Sequence, residues 1–325
     1  MHPAFSVIFL TTLIGTGQGL FVALYTAQVY STVELLPAQP GSFYTAGSFI
    51  ALALLVAGLI ASFFHLGHPE RAWRSAARWR TSWLSREVIV LPALMGAVAA
   101  YGLVHYYGWG LDLIGINTPV ESDLALVVGA GGVVLAFLLF LCTGMIYACI
   151  KFLQEWATWL TVVNYTLFGL ASGFLLATAY AAYRAPALMY FYGGWTAVAT
   201  LAVLITRVVS LIRNHRLKHK STIQTAIGVR HARIVQKSQG FMGGSFNTRD
   251  FFHGAAPRLF RSIKWIFLVL VFPVPLALLF AGMIQSSAAP IAAAFVVQYL
   301  GLLAERWFFF AQANHPQNLY YQTIS

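Results

Sequence analysis

The stretch His65-Leu66-Gly67-His68-Pro69-Glu70-Arg71-Ala72-Trp73-Arg74, followed closely by Ser82-Trp83-Leu84-Ser85-Arg86-Glu87, gathers imidazole, guanidinium, carboxylate and indole groups where one long apolar run ends and the next begins. Reduction of a quinone, or oxidation of a quinol, needs this set: a donor to each carbonyl oxygen, a proton path to water, and an apolar or aromatic wall for the ring. His65 can donate to a quinone oxygen and exchange its proton near neutral pH. Glu87 can relay protons, with Arg71 or Arg86 holding it ionised or keeping the quinone site positive, and Trp73 offers an indole for the wall. Tyr147, near the end of a later apolar run, reads equally as a quinone donor or an interfacial anchor. A plainer reading stands beside this one, in which His65 caps a helix, Trp73 and Trp83 belong to an aromatic belt and the arginines fix topology.

Other chemistries fit less well. A haem in a helical bundle takes histidines at matching depth on facing helices. Only His65 and His105 lie at or within apolar runs, at opposite ends of them, so no haem is expected. Cys142 and Cys149 share one run and form neither a CxxC pair nor an iron–sulfur ligand set, so both read as packing residues and no metal site is expected. Gly240-Phe241-Met242-Gly243-Gly244 lacks the Gly-Lys-Ser/Thr of a phosphate loop. The net charge of +11 does not indicate nucleic acid, because the positive residues sit in loops between apolar runs.

The elements that must position these groups follow from composition. With 59% hydrophobic and 9% charged residues, a soluble fold could not cover itself. Runs near 20 residues match the length a helix needs to cross the hydrocarbon of a bilayer. The sequence therefore predicts an all-α polytopic membrane protein, a single transmembrane domain over 1–325. Its eight spans fall at roughly 5–29, 44–65, 86–107, 124–150, 159–180, 189–212, 263–283 and 288–308. The first run lacks an A-x-A-like cleavage site and reads as a permanent helix.

Nineteen of the twenty Lys and Arg residues fall on one side of this layout, from Arg71 to Arg306, and only Arg184 on the other. Short basic loops stay in the cytoplasm, which puts both termini there, in the inner membrane of a bacterium. The long sixth loop, 213–262, carries the basic run from Arg213 to Lys220. It reads either as attraction to anionic lipid or as a docking surface for a cytoplasmic partner. Gly15 and Gly19, and Gly169 and Gly173, put small residues on single helix faces for close packing. Pro273 and Pro275 should kink the seventh span. Gln18, about 20 Å deep by helix rise, should find an interhelical hydrogen bond, as should Asn164 and Tyr165.

The stretch from His65 to Arg74, the Ser82-Trp83-Leu84-Ser85 turn, Gly17-Gln18-Gly19 and the segment from Tyr147 to Trp159 together resemble the membrane-anchor subunits of the dimethyl sulfoxide reductase family. Within that family the likeness is to anchors of cytoplasmic sulfite-oxidising (sulfite dehydrogenase) complexes. The resemblance implies a molybdopterin catalytic subunit, an iron–sulfur electron-transfer subunit, and this chain as an anchor that binds ubiquinone or menaquinone without its own redox metal. It places the quinone-associated histidine at His65 and its acidic partner at Glu87. A menaquinol-oxidising anchor of a dimethyl sulfoxide or related reductase is the alternative in the same class. A secondary transporter is the alternative from another class, and it would show charges or broken helices near the bilayer centre.

Overall fold

The computed structural model describes residues 3–109, 123–218, 222–235, 237 and 257–315. Of the 213–262 loop, residues 219–221, 236 and 238–256 lie outside the described residues, and nothing in the described remainder tests a docking or lipid-binding role. The helices are α1 (Phe5–Thr32), α2 (Gly41–Phe63), α3 (Trp83–Tyr107), α4 (Asp123–Ala148), α5 (Trp159–Arg184) and α6 (Met189–His215). They continue with the short α7 (Ile223–Ile227), then α8 (Pro257–Val271), α9 (Pro273–Ile284) and α10 (Ala288–Ala311). A 3-10 segment, Pro69–Arg78, joins α2 to α3. Eight stretches are long and apolar enough to cross a membrane, with α8 and α9 together forming one of them.

The bundle is built around α1 and α5, the most enclosed helices. They meet through the glycines that the sequence singles out. A Cβ on Gly19 would collide with the Gly169 backbone, and one on Gly173 with the Gly19 backbone, so the two helices can cross at this depth only without side chains. Thr16 and Ser172 hydroxyls add a hydrogen bond of 3.1 Å at the same crossing. Around this pair, α2, α3 and α4 close one flank and α6, α8 and α10 the other. Large apolar side chains point outward over the remaining surface, among them Phe49, Val134, Val198 and Ile205, as lipid contact requires.

Helix ends follow local chemistry. Ser82 caps α3 by accepting from the Ser85 N–H at 3.3 Å, and Gly108 ends it in a left-handed turn. Thr158 caps α5 by accepting from the Leu160 N–H. The expected kink is a break at Phe272, just before Pro273. Pro275 has no N–H to give the Val271 carbonyl four residues earlier, and the Gln298 side chain of α10 donates to that carbonyl instead, at 3.4 Å.

Ile8 packs with Phe309 and Phe310, so the start of α1 and the end of α10 share one end of the bundle. The α4–α5 loop joins them there, with the Trp156 Nε1–H donating to the Phe309 carbonyl at 2.9 Å. This end carries the connection from His65 to Ser82 and nearly all of the described cations; we term it the basic end.

Candidate functional site

The six residues singled out from sequence occupy one end of the bundle but not one pocket. His65 follows α2 and is exposed, and its side chain has no hydrogen-bond partner among the described residues. Partial enclosure of the ring still pushes its pKa below the usual histidine value, which favours the neutral imidazole at pH 7. Arg71 and Trp73 stand on the exposed 3-10 segment. Arg71 faces Glu70 at 3.7 Å, and Trp73 is overlain by Arg74 at 5.5 Å. Arg86 donates to the Trp79 and Arg80 carbonyls at 2.9 and 2.8 Å and lies 4.2 Å from the Trp83 ring centroid. Neither arginine is paired with Glu87. The reason lies in the helix: Arg86 turns back to finish the loop at the start of α3, while Glu87, the next residue and about 100° further round, turns inward.

Glu87 is buried, and its Oε1 accepts from the Thr143 hydroxyl of α4 at 2.5 Å. It opens on a narrow internal cavity of about 10 Å³, room for about one water molecule. Thr11, Gln18, Thr143 and Tyr165 share this lining with Leu10, Ile14 and Phe140. Gln18 makes the interhelical bond expected of it, from Nε2 to the Ala136 carbonyl at 2.9 Å. Asn164 does likewise, accepting from Thr206 at 2.8 Å. Tyr147, at the end of α4, stacks on Tyr165 with ring centroids 5.5 Å apart, inside an aromatic box completed by Trp156, Phe309 and Phe310.

Next to this box sits a group of charges that sequence reasoning assigned to the loops. Arg207 of α6 pairs with Glu305 of α10 at 2.7 Å, and both are 1% exposed. Arg306 lies 3.4 Å from the other Glu305 oxygen, and its guanidinium rests 3.7 Å from the Tyr165 ring centroid. Arg207 and Arg306, counted with the loop cations in the sequence layout, are therefore structural charges within the bundle. The sequence does hold the signal: Arg207 falls inside the span read at 189–212 and Glu305 and Arg306 inside that at 288–308, so charges of opposite sign lie within apolar helix at one end of the bundle.

An open apolar groove also lies at this end. Ser6, Phe9 and Leu13 of α1 and Ala57, Ile60 and Ala61 of α2 line it, with Phe64, and it encloses about 340 Å³. Its last residue, Phe64, precedes His65. On α1, residues 6, 9 and 13 fall on a different face from 10, 11, 14 and 18, so the groove and the Glu87 cavity flank α1 on two sides. No sequence pattern marks this groove, since small and large apolar residues alternate throughout the spans.

Comparison with known proteins adds to this geometry. The family model described as DMSO reductase anchor subunit (DmsC) matches residues 1–310. The chain is 58% identical, over 326 residues and the full length of both proteins, to a subunit of the sulfite dehydrogenase of Allochromatium vinosum.

Proposed function

We propose, from the premise that the chain belongs to the DMSO reductase anchor subunit family, that it is the quinone-binding anchor of a molybdopterin oxidoreductase that oxidises sulfite to sulfate. The chain is a multi-pass membrane anchor of an oxidoreductase complex. In the proposed complex, an iron–sulfur subunit docks at the basic end and passes on electrons taken from sulfite at a molybdopterin subunit. Nineteen of twenty basic residues lie in the part of the layout that meets this end, which argues for its facing the bacterial cytoplasm.

The observation that carries the quinone reading is the open apolar groove whose lining runs to Phe64, the residue before His65. A quinone ring and the start of its tail are flat and apolar, and a groove of this size on the bundle surface suits them without a route through the core. His65, neutral and partly exposed at the groove's end, donates to a carbonyl oxygen. Two electrons and two protons convert the quinone to quinol. The protons come from the aqueous side of the basic end, with buried Glu87, one turn into the neighbouring α3, holding one of them. Electrons and protons then meet at the same face, and the reaction moves no net charge across the bilayer.

The experiment is His65→Ala in the assembled complex. Sulfite-to-quinone turnover is expected to vanish, while sulfite oxidation with an artificial acceptor persists. Unchanged quinone turnover removes His65 from the site. The family description also suits the reverse direction, quinol oxidation feeding a reductase, whereas the 58% identity to part of a sulfite dehydrogenase favours sulfite oxidation. Assaying sulfite-to-quinone against quinol-to-sulfoxide turnover decides between them.

A further inference from the structure

Glu87 is buried, so a proton that it gives up must be replaced through the protein. One route is built around it. The water-sized cavity joins the Glu87 side chain to Tyr165 across the α1–α3–α4–α5 interior, with Gln18 and Thr11 on its wall. The Tyr165 hydroxyl is buried and has no hydrogen-bond partner of normal geometry. A buried hydroxyl left this way loses its hydration for nothing unless a water or a neighbouring group completes it. Tyr147 stacks on Tyr165 one residue before the end of α4 and is only half buried.

We propose that Tyr147, Tyr165 and one water in this cavity form the proton relay that reloads Glu87 from the aqueous phase at the basic end. The proposal rests on the quinone reading above, in which Glu87 supplies a proton to the head group. The steps balance without any electron transfer. The cavity water gives a proton to the Glu87 carboxylate and takes one from the Tyr165 hydroxyl, Tyr165 takes one from Tyr147, and Tyr147 is replenished from outside. One proton enters and one arrives.

The buried ion cluster gains a purpose in this scheme. Tyr165 passes through a state with negative charge on its oxygen, which is costly in hydrocarbon. Two arginines to one glutamate leave a net positive charge beside it, and the Arg306 guanidinium lies against the ring itself. Arg306 is thus a positioning residue: it fixes the ring plane toward the cavity and offsets the transient charge.

The test uses the intact complex carrying Tyr165→Phe, which keeps the ring, the stack and the Arg306 contact and removes one oxygen. The first readout is independent of quinone: the rate at which the Glu87 carboxyl exchanges its proton for deuterium, followed by the isotope shift of its C=O stretch and assigned with Glu87→Gln. Exchange at least tenfold slower than wild type is expected, and an unchanged rate overturns the relay. The second is quinone-linked turnover, expected to fall about tenfold or more with the quinone KM unaltered and a larger solvent isotope effect, in line with general acid–base contributions of about 10²–10⁴. Thr11→Ile, which narrows the cavity without removing a relay group, should slow exchange in the same way. If the wild-type complex shows no quinone turnover, the functional reading fails, and the exchange measurement still decides the relay. If His65→Ala abolishes turnover while Tyr165→Phe matches wild type in both readouts, the relay alone fails.

Discussion

Glu305 touches two arginines inside a bilayer-spanning helix, and the three side chains are nearly inaccessible to solvent. Removing one partner of a buried ion pair leaves a charge without compensation, which costs about 3–5 kcal/mol. The arrangement is asymmetric, with one carboxylate serving two cations. Glu305→Gln therefore strands both guanidiniums, whereas Arg207→Met leaves the Glu305–Arg306 contact as a neutral pair. The thermal unfolding temperature of the purified complex should fall sharply for Glu305→Gln and clearly less for Arg207→Met; the reverse order would show that the cluster does not balance its charge this way. At this scale the sequence is legible in kind and not in partnership. His65 and Glu87 stand out because imidazole and carboxylate are rare at a span boundary. Thr143 does not, and Tyr147 and Tyr165 stand out only as a quinone donor or anchor and a buried polar group, because hydroxyl side chains are common in membrane helices and only the packed bundle shows which of them lie near a carboxylate.

Helices were the most legible objects in the chain, because hydrocarbon thickness fixes their length and forbids unpaired backbone. The glycine faces of α1 and α5 mark where a neighbouring backbone comes close, but that each helix is the other's neighbour is visible only in the packed bundle. Boundaries were less legible: α6 and α10 each continue by almost a turn past the expected end, because Arg213 and Phe309 extend a helix as readily as they leave one. The break at Phe272 was expected as a kink, but its repair could not be read, as the donor comes from Gln298 on the next span. That repair is testable by a double-mutant cycle. Gln298→Leu should destabilise the bundle by about 0.6–1.7 kcal/mol, the range for a hydrogen bond between membrane helices. In a Pro275→Ala background, where residue 275 regains an N–H for the Val271 carbonyl, the same substitution should cost much less. Equal costs in both backgrounds would mean that Gln298 serves some other group.

On the scale of the molecule, the connection between α2 and α3 shows its aromatics to the outside. Within Pro69–Arg78 no residue is buried, and Trp73 is 71% exposed. Just beyond it Trp79 is 53% exposed, and each indole carries an arginine, Arg74 at 5.5 Å and Arg80 at 5.3 Å. Exposed tryptophan and arginine side by side are the residues that most often anchor protein interfaces, and their positive charge suits a partner with an acidic face. The segment adjoins His65, so whatever covers it stands where electrons must arrive under the proposed function. Backbone amides of 69–80 should therefore exchange with deuterium rapidly in the isolated anchor and at least tenfold more slowly in the assembled complex, with added salt slowing assembly. Trp73→Ala combined with Arg74→Ala should weaken retention of the electron-transfer subunit on membranes while leaving the anchor folded. If protection instead appears when the isolated anchor enters vesicles of anionic lipid, and assembly adds none, the segment lies on the membrane surface and the partner docks elsewhere on the basic end.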